Sequence, residues 1–188
     1  MPLTDADRWN ERYRSSNRHT FGEVRSILIE HAHLMPRHGL ALDLAMGLGG
    51  SADYLLNHGL SVVGVDIASV AVSKAKQNYP GIMAVIADLT HFHFAPETFD
   101  VICNFFYLDR KMWPKIIAWL KPGGFLFYET LTEEMHQFDP SINPNHLLHP
   151  NELKGAFPNL NVLFYEEGWY SNHHPRATAR LIAQKPTQ

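Results

Sequence analysis

From about residue 40 onward, short apolar runs rich in β-branched side chains alternate with stretches in which apolar positions recur every three or four residues. That alternation marks βα units stacked around a largely parallel sheet. The spacing predicts strands near 40–45, 61–66, 82–87 and 99–106, with helices near 50–58 and 69–78 between the first three. A helical stretch over 111–120 runs into Leu120-Lys121-Pro122-Gly123-Gly124, a stop and turn, before the apolar strand Phe125 to Tyr128. Ahead of the sheet lie two predicted helices, near 5–14 and 21–35. Behind it, residues 132–150 hold Pro140, Pro144 and Pro150 and read as an irregular excursion at the carboxyl end of the fifth strand. A short helix near 151–156 and strands near 161–167 and 177–184 follow, the last two forming an antiparallel hairpin. The expected architecture is α/β: a seven-stranded, mostly parallel sheet with an antiparallel C-terminal strand and helices on both faces. Residues 1–188 are expected to form one domain, with 1–37 as an N-terminal helical cap and 38–186 as the core.

Composition narrows the partners. A chain of 188 residues with 45% hydrophobic content suits one compact domain. Its 16 Lys and Arg against 19 Asp and Glu leave a formal charge of -3, so no general attraction to phosphate backbones is expected, and neither nucleic acid nor an anionic membrane is an expected partner. The N-terminus lacks the basic-then-apolar pattern of a signal peptide, and no apolar run approaches the ~18 residues that cross a bilayer, so a cytoplasmic location is expected. The single cysteine, Cys103, lies inside the apolar run Val101 to Phe106 and reads as a buried strand residue. The pairs His31/His33, His91/His93 and His146/His149 have no acidic or Cys partner at a recognised spacing, so no metal site is expected.

The chemistry gathers at strand ends. Ala41-Leu42-Asp43-Leu44-Ala45-Met46-Gly47-Leu48-Gly49-Gly50 couples an apolar strand directly to glycines at a helix start. Backbone there reaches conformations closed to other residues, and the helix N-terminus offers free N–H groups to a ligand. The second strand ends in Asp66, some 20 residues beyond the loop, where a carboxylate can accept ribose hydroxyl protons; a helix-capping Asp is the other reading. The third predicted strand leads into Asp88, at the same edge.

This pattern, from Leu42-Asp43-Leu44-Ala45-Met46-Gly47-Leu48-Gly49 through Leu120-Lys121-Pro122-Gly123-Gly124, resembles the class I SAM (S-adenosylmethionine)-dependent methyltransferases, whose fold is Rossmann-like. The resemblance covers nearly the whole chain. It departs at Ala45, where the family usually has the first glycine of its loop. Trp9-Asn10-Glu11-Arg12-Tyr13 is similar to the Trp-x-x-Arg-Tyr of the small tellurite-resistance and thiopurine-type methyltransferases. The resemblance implies that Asp43 organises the loop around the methionine part of SAM, while Ala45, Met46, Gly47 and Gly49 lie against the cofactor. It further implies that Asp66 holds the ribose, Ile67 and Leu89 sandwich the adenine, Asp88 accepts its amino group, and Asn104 and Phe105 lie near the methionine end. Trp9, Arg12 and Tyr13 would close over the cofactor, or else belong to a helix that simply packs on the sheet.

Methyl transfer from a sulfonium needs chiefly alignment and exclusion of water, so no fixed catalytic motif is required. For a base or anion-holding group, the segment Trp169 to Arg176, read as a turn before the final strand, offers His173, His174 and Arg176; His174 and Arg176 are the catalytic candidates. Phe106, Tyr107, Trp113, Trp169 and Tyr170 are candidates for an aromatic acceptor pocket or for plain core. The expected activity is methyl transfer from SAM to a small-molecule acceptor, leaving S-adenosylhomocysteine. Two rivals remain at this point: a non-catalytic SAM-binding module, and a nicotinamide-dependent oxidoreductase, because Gly47-Leu48-Gly49-Gly50-Ser51-Ala52 also satisfies Gly-x-Gly-x-x-Ala. The sequence fixes neither the acceptor nor the oligomeric state.

Overall fold

The computed structural model describes residues 4–15, 22–172 and 174–187. Five strands, β1 (Leu40–Leu44), β2 (Ser61–Asp66), β3 (Met83–Ile86), β4 (Phe99–Phe105) and β5 (Leu120–Leu131), pair in parallel. The hairpin β6 (Asn161–Asn172) and β7 (His174–Gln184) completes a seven-stranded sheet in the order β3-β2-β1-β4-β5-β7-β6, with β7 antiparallel to both neighbours. The order reverses beside β1. In open α/β sheets, that switch point is where ligands bind, outside the carboxyl ends of the strands.

The helices are α1 (Asp5–Ser15), α2 (Ser26–Glu30), α3 (Gly50–Asn57), α4 (Ser69–Asn78), α5 (Trp113–Trp119) and α6 (Glu152–Gly155). Burial on both faces explains why the strands read as continuous apolar runs rather than as alternating ones. Leu42, Leu44, Ile102, Leu126 and Tyr128 pack one face, toward α5 and α6. Ala41, Val62, Val101, Cys103 and Phe127 pack the other, toward α2, α3 and α4.

The structure departs from the sequence pattern in three places. The predicted helix over 21–35 is only α2 and a single 3-10 turn at Ala32–Leu34. β5 begins at Leu120 rather than Phe125, because Phe99 and Leu120 pair ahead of an irregularity in the ladder. The segment read as a turn, Trp169 to Arg176, is mostly strand: Trp169 pairs with Ala177 and Tyr170 with Arg176. A long paired hairpin satisfies backbone groups that an eight-residue loop would leave to solvent.

The excursion after β5 is tied down. Arg110 grips Glu152 through Nε (2.5 Å) and Nη2 (2.7 Å) and donates to the Leu147 carbonyl (3.0 Å), while Thr132 bridges to Leu148. Among the described residues, no helix is long and apolar enough to cross a membrane.

Candidate functional site

β1 delivers Asp43 to the carboxyl edge with its side chain buried, and the chain then turns through the glycine loop into α3. Ala45 and Gly47 take positive φ, 52° and 57°. Ala45 holds there without a glycine's freedom, at a strain of about 1–2 kcal/mol for an L-residue. Gly49 caps α3 at φ 85°, and its pro-Cβ direction faces Ile82 and Ala75 at 3.1 and 3.2 Å. Gly50 admits a different neighbour: a Cβ there would lie 1.9 Å from the carbonyl oxygen of Gly22, so the segment leading into α2 runs directly over the loop.

Asp66, at the end of β2, ties this loop in place. One carboxylate oxygen accepts the Gly47 N–H and the other the Ala68 N–H, both at 2.8 Å. A carboxylate has about four lone-pair sites, so both oxygens keep capacity for a further donor. Burial raises the Asp66 pKa, against the opposing pull of the N–H groups of Ala68, Gly47 and Ile67.

Asp43 is more isolated. Burial pushes its carboxyl up to about 7, with Asp66 adding repulsion while Arg25 and the Ala52 N–H favour the charged form. Among the described residues its Oδ2 has no hydrogen-bond partner, and the same is true of both side-chain polar atoms of the fully buried Asn104. Asp43 stands opposite Cys103 and Leu44 opposite Asn104 in the β1/β4 register. The two unsatisfied side chains therefore close the same strand edge from opposite faces of the sheet. Phe105 is buried beside Asn104, and Met46 folds its thioether back onto Gly64, contributing mainly backbone to the loop.

The N-terminal helix joins the site from outside the sheet. Asn10 Oδ1 accepts from the Val70 N–H (2.9 Å) and the Ser69 hydroxyl (3.2 Å), clamping α1 onto the start of α4, and Lys74 donates to the Tyr13 carbonyl (2.7 Å). Tyr13 is thereby buried among Ala68, Ala71 and Leu48, next to the loop, and its hydroxyl is held protonated by burial and by Asp66. Arg12 lies over the half-exposed Trp9 ring at 5.1 Å. The helix packs on α4 and the loop rather than on the sheet.

Other sequence candidates fall in different surroundings. Ile67 and the buried Leu89 flank the edge of β2 and β3. Asp88 is exposed and spends its oxygens locally, accepting from the Thr90 backbone and hydroxyl at 2.9 and 2.6 Å and meeting His91 at 3.3 Å; these bonds lower its pKa. His173 lies outside the described residues, as does the side chain of His174, whose backbone starts β7. Arg176 reaches the Phe106 ring, 4.9 Å from its centroid. Cys103 is buried with its pKa raised by burial, as befits a strand residue. Among the described residues, no group of three His, Cys, Asp or Glu is placed to hold a metal.

Two residues that the sequence pattern did not single out converge here. Glu129, near the carboxyl end of β5, is raised in pKa by burial and faces Arg25, Arg180 and Arg176. Its position repeats the strand-end pattern of Asp66 and was legible on that ground. Arg25, just before α2, lies 4.8 Å from the centre of the Phe106 ring and interacts with Glu129 and Asp43; no local signal marks it.

Known proteins resemble the chain in sequence and in fold. Residues 41–124 match the family model described as a methyltransferase domain. The phthiotriol/phenolphthiotriol dimycocerosates methyltransferase of Mycobacterium tuberculosis strain H37Rv is 30% identical over 99 residues, covering 48% of this chain and 37% of that protein. The demethylmenaquinone methyltransferase of Renibacterium salmoninarum is 30% identical over 122 residues, covering 62% of this chain and 49% of that protein. The chain thus spans less than half the length of these two relatives. Among solved structures, TehB from Haemophilus influenzae superposes with a TM-score of 0.72 at 17% identity, over 96% of this chain and 66% of that one.

Proposed function

We propose that this chain, whose residues 41–124 match the methyltransferase-domain model and whose fold is that of SAM-dependent methyltransferases, transfers the methyl group of SAM to a small-molecule acceptor by in-line displacement. The observation that carries the reading is the set of unsatisfied buried polar atoms, Asp43 Oδ2 with Asn104 Oδ1 and Nδ2, at adjacent strand ends beside the glycine loop. Buried polar groups without partners are rare and call for one. A cofactor with a charged amino-acid end and a ribose supplies both donors and acceptors to such an edge.

When bound, SAM supplies a methyl group already activated by its sulfonium. Asp66 would hold the ribose hydroxyls with the lone pairs left over from Gly47 and Ala68, and Asp43, Asn104 and the loop backbone from Ala45 to Gly49 would take the methionine end. Ile67 and Leu89 would flank the adenine. For Asp88, the turn hydrogen bonds leave an exposed carboxylate that would accept the adenine amino group only from the rim. Trp9, Arg12 and Tyr13 would cover the cofactor from α1 and exclude water, which is the main catalytic demand on the chain.

The formal charge of -3 favours a small acceptor over a nucleic acid, and the two relatives are named for phthiotriol dimycocerosates and demethylmenaquinone. A cytoplasmic location fits the same reading. The test is parallel calorimetric titration with SAM, S-adenosylhomocysteine and NADH. Binding of the two SAM species alone is expected, followed by release of S-adenosylhomocysteine on turnover with an acceptor. NADH binding, or no binding, would overturn the cofactor assignment, and binding without turnover on any acceptor would leave a SAM-binding module.

A further inference from the structure

Glu129 lies on the sheet face that α2 covers. Asp43, Cys103 and Phe127 stand in one row across β1, β4 and β5, and Phe105 with Glu129 forms the row two residues further toward the carboxyl edge. Side chains two residues apart along a strand share a face, so the Glu129 carboxyl stands on the same face as Asp43. Packing does not explain an acid there. Its neighbours Phe105 and Phe127 belong to a buried apolar cluster, and bringing a carboxyl into such surroundings is unfavourable without compensation.

The compensation comes from three arginines in separate parts of the chain. Burial raises the Glu129 pKa, and Arg25, Arg180 and Arg176 pull it back. Arg180 stands directly opposite on β7 and is shared with Glu30 and Glu166, and Arg176 belongs to the start of the same strand. Arg25 differs in coming from outside the sheet. It ends a segment of neither helix nor strand that begins at Gly22, where a Cβ on Gly50 would lie 1.9 Å from the Gly22 carbonyl oxygen. The Arg25 guanidinium rests 4.8 Å from the centre of the Phe106 ring, and Phe106, at φ 59°, donates its N–H to the Glu129 carbonyl at 2.8 Å. Glu129 therefore supports Arg25 twice, directly through its carboxyl and, by way of the ring, through its backbone. Arg25 also interacts with Asp43, one row inward.

We propose that Glu129 is a positioning residue for the cofactor site: it anchors Arg25, and through Arg25 it keeps the segment from Gly22 closed over the glycine loop and beside Asp43. The inference rests on the SAM-binding reading, because the loop and Asp43 affect affinity only if they hold that cofactor. β5 sits inside the sheet, paired on both sides, whereas residues 22–25 have no ladder, so their place over the loop depends on side-chain ties. A segment already ordered spares the cofactor the entropy of ordering it on binding.

The test is a double-mutant cycle read as S-adenosylhomocysteine affinity, by calorimetric titration of the full chain. Glu129→Gln keeps the shape and removes the acid; it is expected to weaken binding about tenfold, the scale of one charge-assisted contact. Arg25→Gln is expected to weaken it by a similar factor, and the double variant by little more than either single one, because both changes release the same tie. A residue that merely stabilised the sheet would lower the unfolding free energy and leave affinity alone, or would lower affinity by the same factor in both backgrounds. Urea melts of the unliganded variants show which are folded; where one is not, Glu129→Met or Arg25→Met, apolar and similar in length, takes its place with the same expectations. Unchanged affinity in the Glu129 variant, or multiplied losses of about a hundredfold in the double variant, would overturn the proposal. Failure of the wild type to bind S-adenosylhomocysteine would instead overturn the cofactor reading, so the two failures are distinct.

Discussion

Replacing Asp43 by Asn should change how stability depends on pH more than it changes stability at any one acid pH. In the folded chain, burial holds the Asp43 carboxyl protonated up to about 7, against an ordinary value of 3.8. Between those values the folded state binds a proton that the unfolded chain has lost, so stability falls as pH rises across the window. At 1.36 kcal/mol per tenfold, the fall amounts to about 4 kcal/mol between roughly pH 4 and pH 7, a large part of the ~5–15 kcal/mol of a typical domain. Asn keeps an oxygen to accept the Ala52 N–H but has no proton to lose. The variant's unfolding free energy, from urea melts at successive pH values without ligand, should therefore stay flatter than wild type over the window and exceed it at neutral pH. Asp100, lowered through its bond to Lys121, is common to the two proteins and cancels in the difference; Asp66, also raised by burial, repels Asp43, so part of the difference belongs to the coupled pair. Parallel profiles for wild type and variant would refute the idea that Asp43 is buried without adequate compensation.

Four further outcomes follow from the same geometry. Asp66→Ala should weaken SAM binding by at least ~1 kcal/mol in calorimetry, since a charged acceptor is lost from a buried edge. Ala45→Gly should stabilise the protein by about 0.5–1 kcal/mol in urea melts, the relief of positive-φ strain exceeding the added entropy of the unfolded chain. Gly50→Ala should force the Gly22 carbonyl away from the loop, costing about 1–3 kcal/mol and weakening SAM binding; an unchanged melt would mean that the N-terminal segment does not cross there. Arg180→Met should cost about 2 kcal/mol, less than for a fully buried pair, because Glu30 and Glu166 stay about half exposed when their partner goes.

Much of this arrangement is written locally. The strands β1 to β4 are apolar runs bounded by polar turns, so their positions followed from the chain itself, and the loop glycines followed from the abrupt switch between strand and helix. Asp43 and Asp66 were legible because a carboxylate ending an apolar strand has no packing reason to be there. Local pattern failed where pairing decided the outcome. Nothing in Trp169 to Arg176 marks it as strand, yet Tyr170 and Arg176 extend the hairpin because β5 gives β7 a ladder to follow as far as Thr178. Likewise, Asp88 sits at the edge that its spacing implied, but Thr90 and His91 offered it partners two and three residues away, and those short-range bonds took the carboxylate first.

The cationic side of the site was the least legible part for a physical reason. Arg25 and Arg176 are separated by most of the chain; Arg176 stood out in its own segment as a candidate, whereas Arg25 looks like an ordinary surface arginine in its neighbourhood. They meet only because two independent constraints converge. Gly50 lacks a side chain and so lets the segment at Gly22 cross the loop, which carries Arg25 inward, while the pairing of β6 with β7 out to Tyr170 and Arg176 holds the start of β7 beside the strand ends. Phe106 is the point where both paths end, and its positive φ is the local cost of presenting a ring there. A residue held against its own backbone preference, at the carboxyl edge of the sheet and between two guanidiniums, is better explained by what it must contact than by the packing it gives up.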